Sequence, residues 1–147
     1  MSKRTIPHSA SVLLVEGNPM DILMTTRAFD EGGFDFRLRV AEDGEQALDF
    51  LHQNCDSVDA GAFCPDLILL NLNLPKKSGD EVLVEIRENP STSLIPVIML
   101  AGSAEAKDAI ECYSQSANCH IAKPVDVDNF QKAIQCTGEF RIETPVT

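Results

Sequence analysis

Basic residues are scarce in this chain of 147 residues. Lysine and arginine together number 12 against 23 aspartates and glutamates, which leaves a formal net charge of −11. A surface of that sign repels phosphate backbones and anionic lipids. Past the N-terminus, Lys76-Lys77 is the only adjacent basic pair. The composition therefore argues against nucleic acid or a membrane surface as the main partner.

Long apolar runs are also missing, since none approaches the roughly 20 residues that a membrane-spanning helix needs. Val12–Val15 ends at Glu16, and the residues before it lack the apolar region and cleavage site of a signal peptide. No Cys-x-x-Cys motif occurs, and the five cysteines are Cys55, Cys64, Cys112, Cys119 and Cys136. An odd, scattered set fits free thiols in a reducing compartment better than a disulfide framework. We therefore expect a cytoplasmic protein.

What the chain does contain is a regular alternation of apolar segments and amphipathic ones. The predicted strands are two buried ones, Asp66–Asn71 and Ile95–Leu100, and two short ones, Val12–Val15 and Cys119–Ala122. From Phe34 to Val40, apolar and charged residues alternate, which predicts an edge strand exposed on one side. Helices are predicted to begin near Asn18, Asp43, Ser78, Ser103 and Asp126.

This order of elements predicts an α/β fold, a doubly wound five-stranded parallel sheet in the order 2-1-3-4-5. The domain is predicted to span residues 11–137, with an N-terminal extension at 1–10 and a frayed C-terminal tail at 138–147. Ligands of such sheets bind at the carboxyl ends of the strands. The candidate functional residues are therefore those at the strand ends, namely Glu16, Gly17, Asn71, Ala101, Gly102, Lys123 and Pro124.

The sequence around these strand ends resembles the receiver domain of two-component response regulators, which has a flavodoxin-like fold. The matching segments are Val12–Pro19, Ala41–Leu48, Pro65–Pro75 with Gly79, Ile95–Ala101 and Lys123-Pro124. The likeness runs from about Val12 to Ile134 and is greatest to small stand-alone receivers that partner phytochrome-type histidine kinases. It implies a phosphorelay role with a sensor histidine kinase as partner.

A working receiver has an acidic pair after its first strand, a phosphoacceptor Asp after the third, a Ser or Thr after the fourth and a Lys after the fifth. Glu16 and Lys123 keep the expected type, whereas Gly17, Asn71 and Ala101 do not. An amide oxygen is a poor nucleophile, so Asn71 is not expected to form the acyl phosphate that a carboxylate forms. We therefore predict a non-enzymatic pseudo-receiver that cannot be phosphorylated at this position.

The same changes remove most of the ligands that Mg²⁺ would need. Mg²⁺ prefers oxygen ligands, and those left here are Glu16, the side chain of Asn71 and a backbone carbonyl such as that of Asn73. We expect no cofactor, with Mg²⁺ binding weak or absent. Cys112, Cys119 and His120 lack the paired spacing of a metal site, and buried free thiols are the better interpretation.

Several candidate residues have two interpretations. Glu16 is either a solvated acid or the ion-pair partner of Lys123, and Asn71 is expected to bond nearby backbone or Lys123. The resemblance implies a cis peptide at Lys123-Pro124. At His120, where the family carries an aromatic that changes position, we expect either a neutral surface histidine or a group that responds to pH near 6.5.

A receiver that is not phosphorylated would act through protein contact alone. The resemblance implies a surface for dimerisation or effector binding on the predicted fourth helix, fifth strand and fifth helix, and its residues are Lys107, Glu111, His120, Asp128 and Lys132. We accordingly expect a homodimerising interaction module.

Three alternatives remain at this stage. A kinase could phosphorylate another acid, such as Asp66 or Asp43. Asn71 could be an engineered change, although that would not require Gly17 and Ala101. A small-molecule or flavin-binding domain of the same architecture is the third, but no glycine-rich phosphate loop follows the first strand.

Overall fold

The chain is organised by a parallel sheet with helices on both sides. The computed structural model describes residues 4–6, 10–56, 63–101, 119–122, 125–136 and 140–142. The strands are β1 (Arg4–Ile6), β2 (Ser11–Val15), β3 (Arg37–Ala41), β4 (Leu67–Asn71), β5 (Val97–Ala101), β6 (Cys119–Ala122) and β7 (Phe140–Ile142). The helices are α1 (Pro19–Glu31), α2 (Gly44–Cys55), α3 (Gly79–Glu88) and α4 (Val127–Cys136).

The site lies at the ends of four neighbouring strands, in the order β3-β2-β4-β5. β6 pairs with the outer side of β5. Every neighbouring pair is parallel, with Val15 opposite both Ala41 and Leu70, and Asn71 opposite Leu100. Because parallel strands end at the same edge of a sheet, this register brings the ends of β2, β3, β4 and β5 together.

Burial explains why β2, β4 and β5 lie inside the sheet. Every residue of these three strands is buried, whereas β3 is largely exposed, as expected of an edge strand. One side of the sheet packs on Phe29 of α1 and Phe130 of α4. The other side packs on Leu48 of α2 and Leu83 of α3. The two apolar clusters fix the helices on opposite faces.

Local sequence sets where the helices begin. The Asn18 side chain accepts a hydrogen bond from the Met20 N–H at 2.9 Å, and Pro19 follows it at the first helical position. Asp43 accepts from the Gln46 N–H at 2.8 Å in the same way. Each cap lies two or three residues after the end of a strand, so both also position the loops of the site. No helix within the described ranges is long and apolar enough to cross a membrane.

The edge strand begins later than its alternation predicts. β3 starts at Arg37, whereas Phe34 and Phe36 precede it with their rings stacked 5.1 Å apart. Both rings also contact Phe29 and Phe130. The first half of the alternating segment therefore forms an aromatic cluster with α1 and α4. Only the second half of the segment forms a strand.

The predicted frayed tail is wrong for three of its residues. Phe140–Ile142 forms β7, which pairs in parallel with β1 of the N-terminal extension, Arg4 opposite Phe140 and Ile6 opposite Ile142. Strands of three residues are too short for periodicity to detect. The two terminal segments thus satisfy part of their backbone hydrogen bonding with each other.

The prediction of free thiols is also wrong for two cysteines, because Cys55 and Cys64 form a disulfide with their Cα atoms 4.8 Å apart. The contact has a local cause. The Phe63 N–H donates to the Asn54 side chain at 2.8 Å, which returns the chain to the end of α2. The predicted helix from Ser103, and with it Lys107, Glu111 and Cys112, lies outside the described residues.

Candidate functional site

A cleft of about 890 Å³ opens at the carboxyl ends of β2, β3 and β4. Its described lining residues are Glu16, Gly17, Asn18, Pro19, Asp21, Glu42, Asp43, Asn71, Asn73 and Pro75. Glu16, Gly17, Asn71 and Asn73 were predicted from their positions at or beside the strand ends. The cleft therefore lies where the sequence analysis expects a functional site, and four of these lining residues are acidic.

The centre of the cleft is a buried contact between the strand ends of β2 and β4. The Asn71 side-chain nitrogen donates to Glu16 Oε2 at 2.9 Å. Glu16 is 1% exposed and Asn71 is 5% exposed. The contact follows from register, because Val15 pairs with Leu70, Glu16 comes directly after Val15 and Asn71 directly after Leu70. Their positions in the sequence predict that both residues lie at this edge, but not that they hydrogen-bond to each other directly.

The Asn71 amide is fixed by two further contacts. Its nitrogen also donates to the Asn73 carbonyl oxygen at 2.9 Å, and its Oδ1 accepts from the Asn73 N–H at 3.4 Å. With the amide nitrogen bonded to two oxygens and the amide oxygen facing an N–H, the orientation of the side chain is set by its partners. The predicted hydrogen bond from Asn71 to nearby backbone is present.

Glu16 links this contact to the start of α1. Its Oε2 also accepts from the Asn18 N–H at 3.3 Å, and Asn18 in turn caps α1. The two N–H donors are directed at one carboxylate oxygen in a buried position, where a carboxylate needs such compensation. The β2–α1 and β4–α3 loops are therefore connected through one side chain.

Gly17 lies against the β3–α2 loop. A Cβ atom at this position would be 2.7 Å from the Glu42 carbonyl oxygen, a separation that real Cβ atoms essentially never show. The Glu16 N–H also donates to the Ala41 carbonyl at 2.9 Å, which holds the two loops together. Beyond lacking a carboxylate, position 17 has no room for a side chain unless the Glu42 backbone moves.

Ala101 ends β5 and is 3% exposed. Its methyl group belongs to the apolar cluster that packs on α2 and α3. The position where a receiver carries a hydroxyl is thus filled by core packing, with no side-chain donor for an incoming phosphoryl group.

Asp43 is an acid of the cleft whose electrostatics are perturbed. The Gln46 N–H that it accepts lowers the pKa of the Asp43 carboxyl, and Lys76, whose Nζ lies 3.6 Å from Oδ2, lowers it further. Lys76 has a φ of 67°, in the left-handed region that side-chain-bearing residues seldom adopt. The sequence marks Lys76 only as half of a basic pair and does not indicate this contact.

The remaining predicted residues are not brought together by the described structure. Asp66 precedes β4 and accepts from the Ser11 N–H at 3.0 Å, at the edge of the sheet opposite the cleft. Asp128 and Lys132 are exposed on α4. His120 lies in β6, but its side chain is outside the description, as are Gly102, Lys107, Glu111, Lys123 and Pro124.

The described donor set does not fit a divalent cation. Among the residues that the structure describes, no three Asp, Glu, His or Cys side chains converge as metal ligands would. Two oxygens of the pocket, Glu16 Oε2 and the Asn73 carbonyl, both accept from the Asn71 nitrogen. An N–H donor and a cation cannot share that space, so no step at this site is assigned to a metal.

Comparisons with known proteins give the chain its relatives. A model of the response regulator receiver domain matches residues 12–135. Response regulator Rcp1 of Synechocystis sp. is 36% identical over 133 residues, which cover 90% of this chain and 89% of that protein.

Solved structures agree with the sequence comparison. The bacteriophytochrome response regulator AtBRR superimposes with a TM-score of 0.80 at 36% identity, covering 90% of this chain and 94% of that one. The Mn²⁺-bound form of response regulator Rcp1 gives 0.68 at 34% identity, covering 93% and 99%. These results confirm the predicted likeness to receivers that partner phytochromes and the flavodoxin-like fold of parallel sheet and helices. The chain belongs to the response regulator receiver domain family of two-component systems.

Proposed function

We propose that this chain is a pseudo-receiver, a signalling module of a two-component system that accepts no phosphoryl group and acts through protein contact. The observation that carries the proposal is Asn71 at the phosphoacceptor position, with its amide held in the cleft by Glu16 and Asn73. Receiver domains serve signalling rather than enzymatic roles, and we assign no catalytic activity to this one.

The chemistry of position 71 supports the loss of phosphorylation. A phosphoacceptor carboxylate attacks phosphorus with an electron-rich oxygen and becomes an acyl phosphate. The nitrogen lone pair of an amide is delocalised, its oxygen is a weak nucleophile, and Oδ1 here already accepts from the Asn73 N–H. The side chain is therefore a structural hydrogen-bonding group instead of a nucleophile.

Two other departures support the same conclusion. A working receiver would use a second acid at position 17, but Gly17 has none and its loop lies too close to Glu42 for a side chain. A hydroxyl at position 101 would bind the transferred phosphoryl group, and Ala101 offers a buried methyl. An engineered change at Asn71 alone would leave both of these departures unexplained.

The relatives indicate the kind of partner. Several of them are named as phytochrome or bacteriophytochrome response regulators, so we propose a sensor histidine kinase of the phytochrome type, or another signalling protein, as the partner. The contact surface is the one that includes Asp128 and Lys132, both exposed on α4.

We propose that the same surface supports a homodimer. Sedimentation at high micromolar concentration tests this, and a monomer at that concentration would contradict it.

The alternative phosphoacceptors are Asp43 and Asp66. Asp66 lies at the wrong edge of the sheet for the cleft and accepts a backbone hydrogen bond. Asp43 lines the cleft, but it caps α2 and its pKa is lowered, which makes it a weaker nucleophile. Of the two, only Asp43 is close enough to the cleft to be tested as an acceptor.

The test is incubation with acetyl phosphate, and separately with a phytochrome-type histidine kinase and ATP, in the presence of Mg²⁺. Intact mass should remain that of the unmodified chain. The cyanobacterial phytochrome response regulator RcpA, whose structure was solved in a phosphorylated form, serves as the positive control. A phosphoryl adduct mapped to Asn71 would overturn the proposal, and one mapped to Asp43 would replace it by a receiver with a relocated acceptor.

A further inference from the structure

We propose that the side-chain amide of Asn71 replaces the divalent cation of this pocket, so that its N–H groups form a permanent, metal-free bridge between the β2–α1 and β4–α3 loops. The inference deepens the proposed function and rests on it only for the identity of position 71. It assigns a positioning role to Asn71. Loss of the nucleophile alone would not require such a role, because a residue without side-chain N–H groups would also remove the nucleophile.

The first support is distance. The Asn71 nitrogen lies 2.9 Å from Glu16 Oε2 and 2.9 Å from the Asn73 carbonyl oxygen. At that separation each amide hydrogen is about 1.9–2.0 Å from its oxygen. Mg²⁺ binds its oxygen ligands at about 2.0–2.1 Å. The two N–H groups thus present positive charge to both oxygens at nearly the distance a cation would.

The second support is the nature of the two acceptors. One is a buried carboxylate and the other a backbone carbonyl, and both are the hard oxygen ligands that Mg²⁺ and Mn²⁺ prefer. They belong to different loops, which a metal ion would otherwise join. The amide joins them with a neutral group that cannot dissociate from the chain.

The bridge continues beyond Asn71. Glu16 Oε2 accepts from the Asn18 N–H, and the Asn18 side chain caps α1. On the other loop, the Leu72 carbonyl accepts from the Gly79 N–H at 2.9 Å, where α3 begins. A fixed amide therefore holds the starts of α1 and α3 in one arrangement, whether or not divalent ions are present.

Charge accounts for why an amide and not a carboxylate can do this. With Asp at position 71, two buried carboxylates would lie where Asn71 and Glu16 now make a 2.9 Å hydrogen bond. Like charges at that distance repel strongly in a buried site, and either a shared proton or a cation between them is needed to hold the loops; near neutral pH and above, where a shared proton is lost most readily, the cation matters most. The single change Asn71→Asp should therefore make the pocket depend on metal.

The experiment measures Mn²⁺ binding and thermal unfolding of the full chain at about 0.15 M salt, which screens the general attraction of an acidic surface for cations. Free Mn²⁺ is followed by its electron paramagnetic resonance signal. Addition of the wild type should leave the signal of free Mn²⁺ at its value in buffer alone. The Tm of the wild type should not respond to Mg²⁺.

Asn71→Asp should lower Tm by about 5–10 °C without metal, bind Mn²⁺ saturably where the wild type does not, and regain Tm when Mg²⁺ is added. The matched control is Asn89→Asp. Asn89 also donates to a carboxylate, Asp56, at 3.2 Å, but at an exposed site. This control should change neither Mn²⁺ binding nor the Mg²⁺ response of Tm.

Saturable Mn²⁺ binding by the wild type, or a Tm of Asn71→Asp equal to that of the wild type in the absence of metal, would overturn the inference. If Asn71→Asp does not fold without metal, refolding with and without Mg²⁺ is compared, and failure in both overturns it. These results concern metal binding and stability, and none of them bears on whether the wild type is phosphorylated. The proposed function is contradicted separately, by a phosphoryl adduct on the wild type.

Discussion

Replacement of Gly17 tests whether the backbone around this position still leaves room for the second acid of a working receiver. In Gly17→Ala a single Cβ is added 2.7 Å from the Glu42 carbonyl oxygen, and its next neighbours are 3.8 Å away. One backbone atom therefore has to move by several tenths of an ångström. That movement is opposed from both sides, because the Ala41 carbonyl accepts from the Glu16 N–H at 2.9 Å and the Glu42 N–H donates to the Gln46 side chain at 3.0 Å.

Overpacking of this kind reduces the free energy of unfolding by about 1–3 kcal/mol. For a chain of this size that corresponds to a fall in Tm of about 3–10 °C. Gly17→Asp adds the same Cβ and a carboxylate close to Glu16 and Glu42. It should be less stable than Gly17→Ala, and the difference between the two should shrink as salt is raised.

The assay is urea unfolding of wild type, Gly17→Ala and Gly17→Asp at low and high salt, followed by circular dichroism. Comparison of the two variants separates the steric effect from the electrostatic one. A Gly17→Ala variant as stable as the wild type would refute the reasoning, because the loop would then accommodate a side chain without strain.

Two further predictions concern the rest of the described structure. Reduction of the Cys55–Cys64 disulfide, which closes a short loop with a sequence separation of 9, should lower the free energy of unfolding by about 2–3 kcal/mol; a peptide map without reductant should show the cross-linked pair, and free thiols at both positions would contradict it. The pKa of Asp43 is lowered in the folded state by the Gln46 N–H, so its stabilising effect is present above the unfolded value near 3.8 and is lost as pH falls through the folded pKa. The stability difference between wild type and Asp43→Asn, measured by urea unfolding, should therefore be constant near neutral pH and narrow below about pH 4, and a difference that grows in acid would be inconsistent with this cause.

Local signals in the sequence predict the parts of the fold that depend on neighbouring residues. Asn18 and Asp43 indicate helix starts because a capping side chain needs only the next few N–H groups. The edge of the sheet where Glu16 and Asn71 lie follows from buried strands and parallel pairing. These features need no knowledge of distant side chains.

Features that depend on contacts between distant segments were not predictable in this way. Gly17 gives no sign in the sequence that Glu42 will approach it, because the two residues meet only when two loops converge. The pairing of β1 with β7 and the Cys55–Cys64 disulfide likewise depend on chain paths that short patterns do not specify. The choice of acceptors by the Asn71 amide is set by side-chain geometry, which residue type alone leaves open.

The three departures from a working receiver are not equivalent in the folded protein. Asn71 is satisfied by the oxygens that a cation would bind, Gly17 is crowded by Glu42, and the methyl of Ala101 is part of the core. Reversal of Asn71 alone would supply a carboxylate but remove the amide nitrogen that donates to Glu16 and Asn73. Reversal of Gly17 displaces backbone, and reversal of Ala101 inserts a hydroxyl into an apolar cluster. Because each reversal disturbs a different contact, we expect that all three positions, and the Glu42 backbone with them, would have to change together before this pocket resembled that of a working receiver.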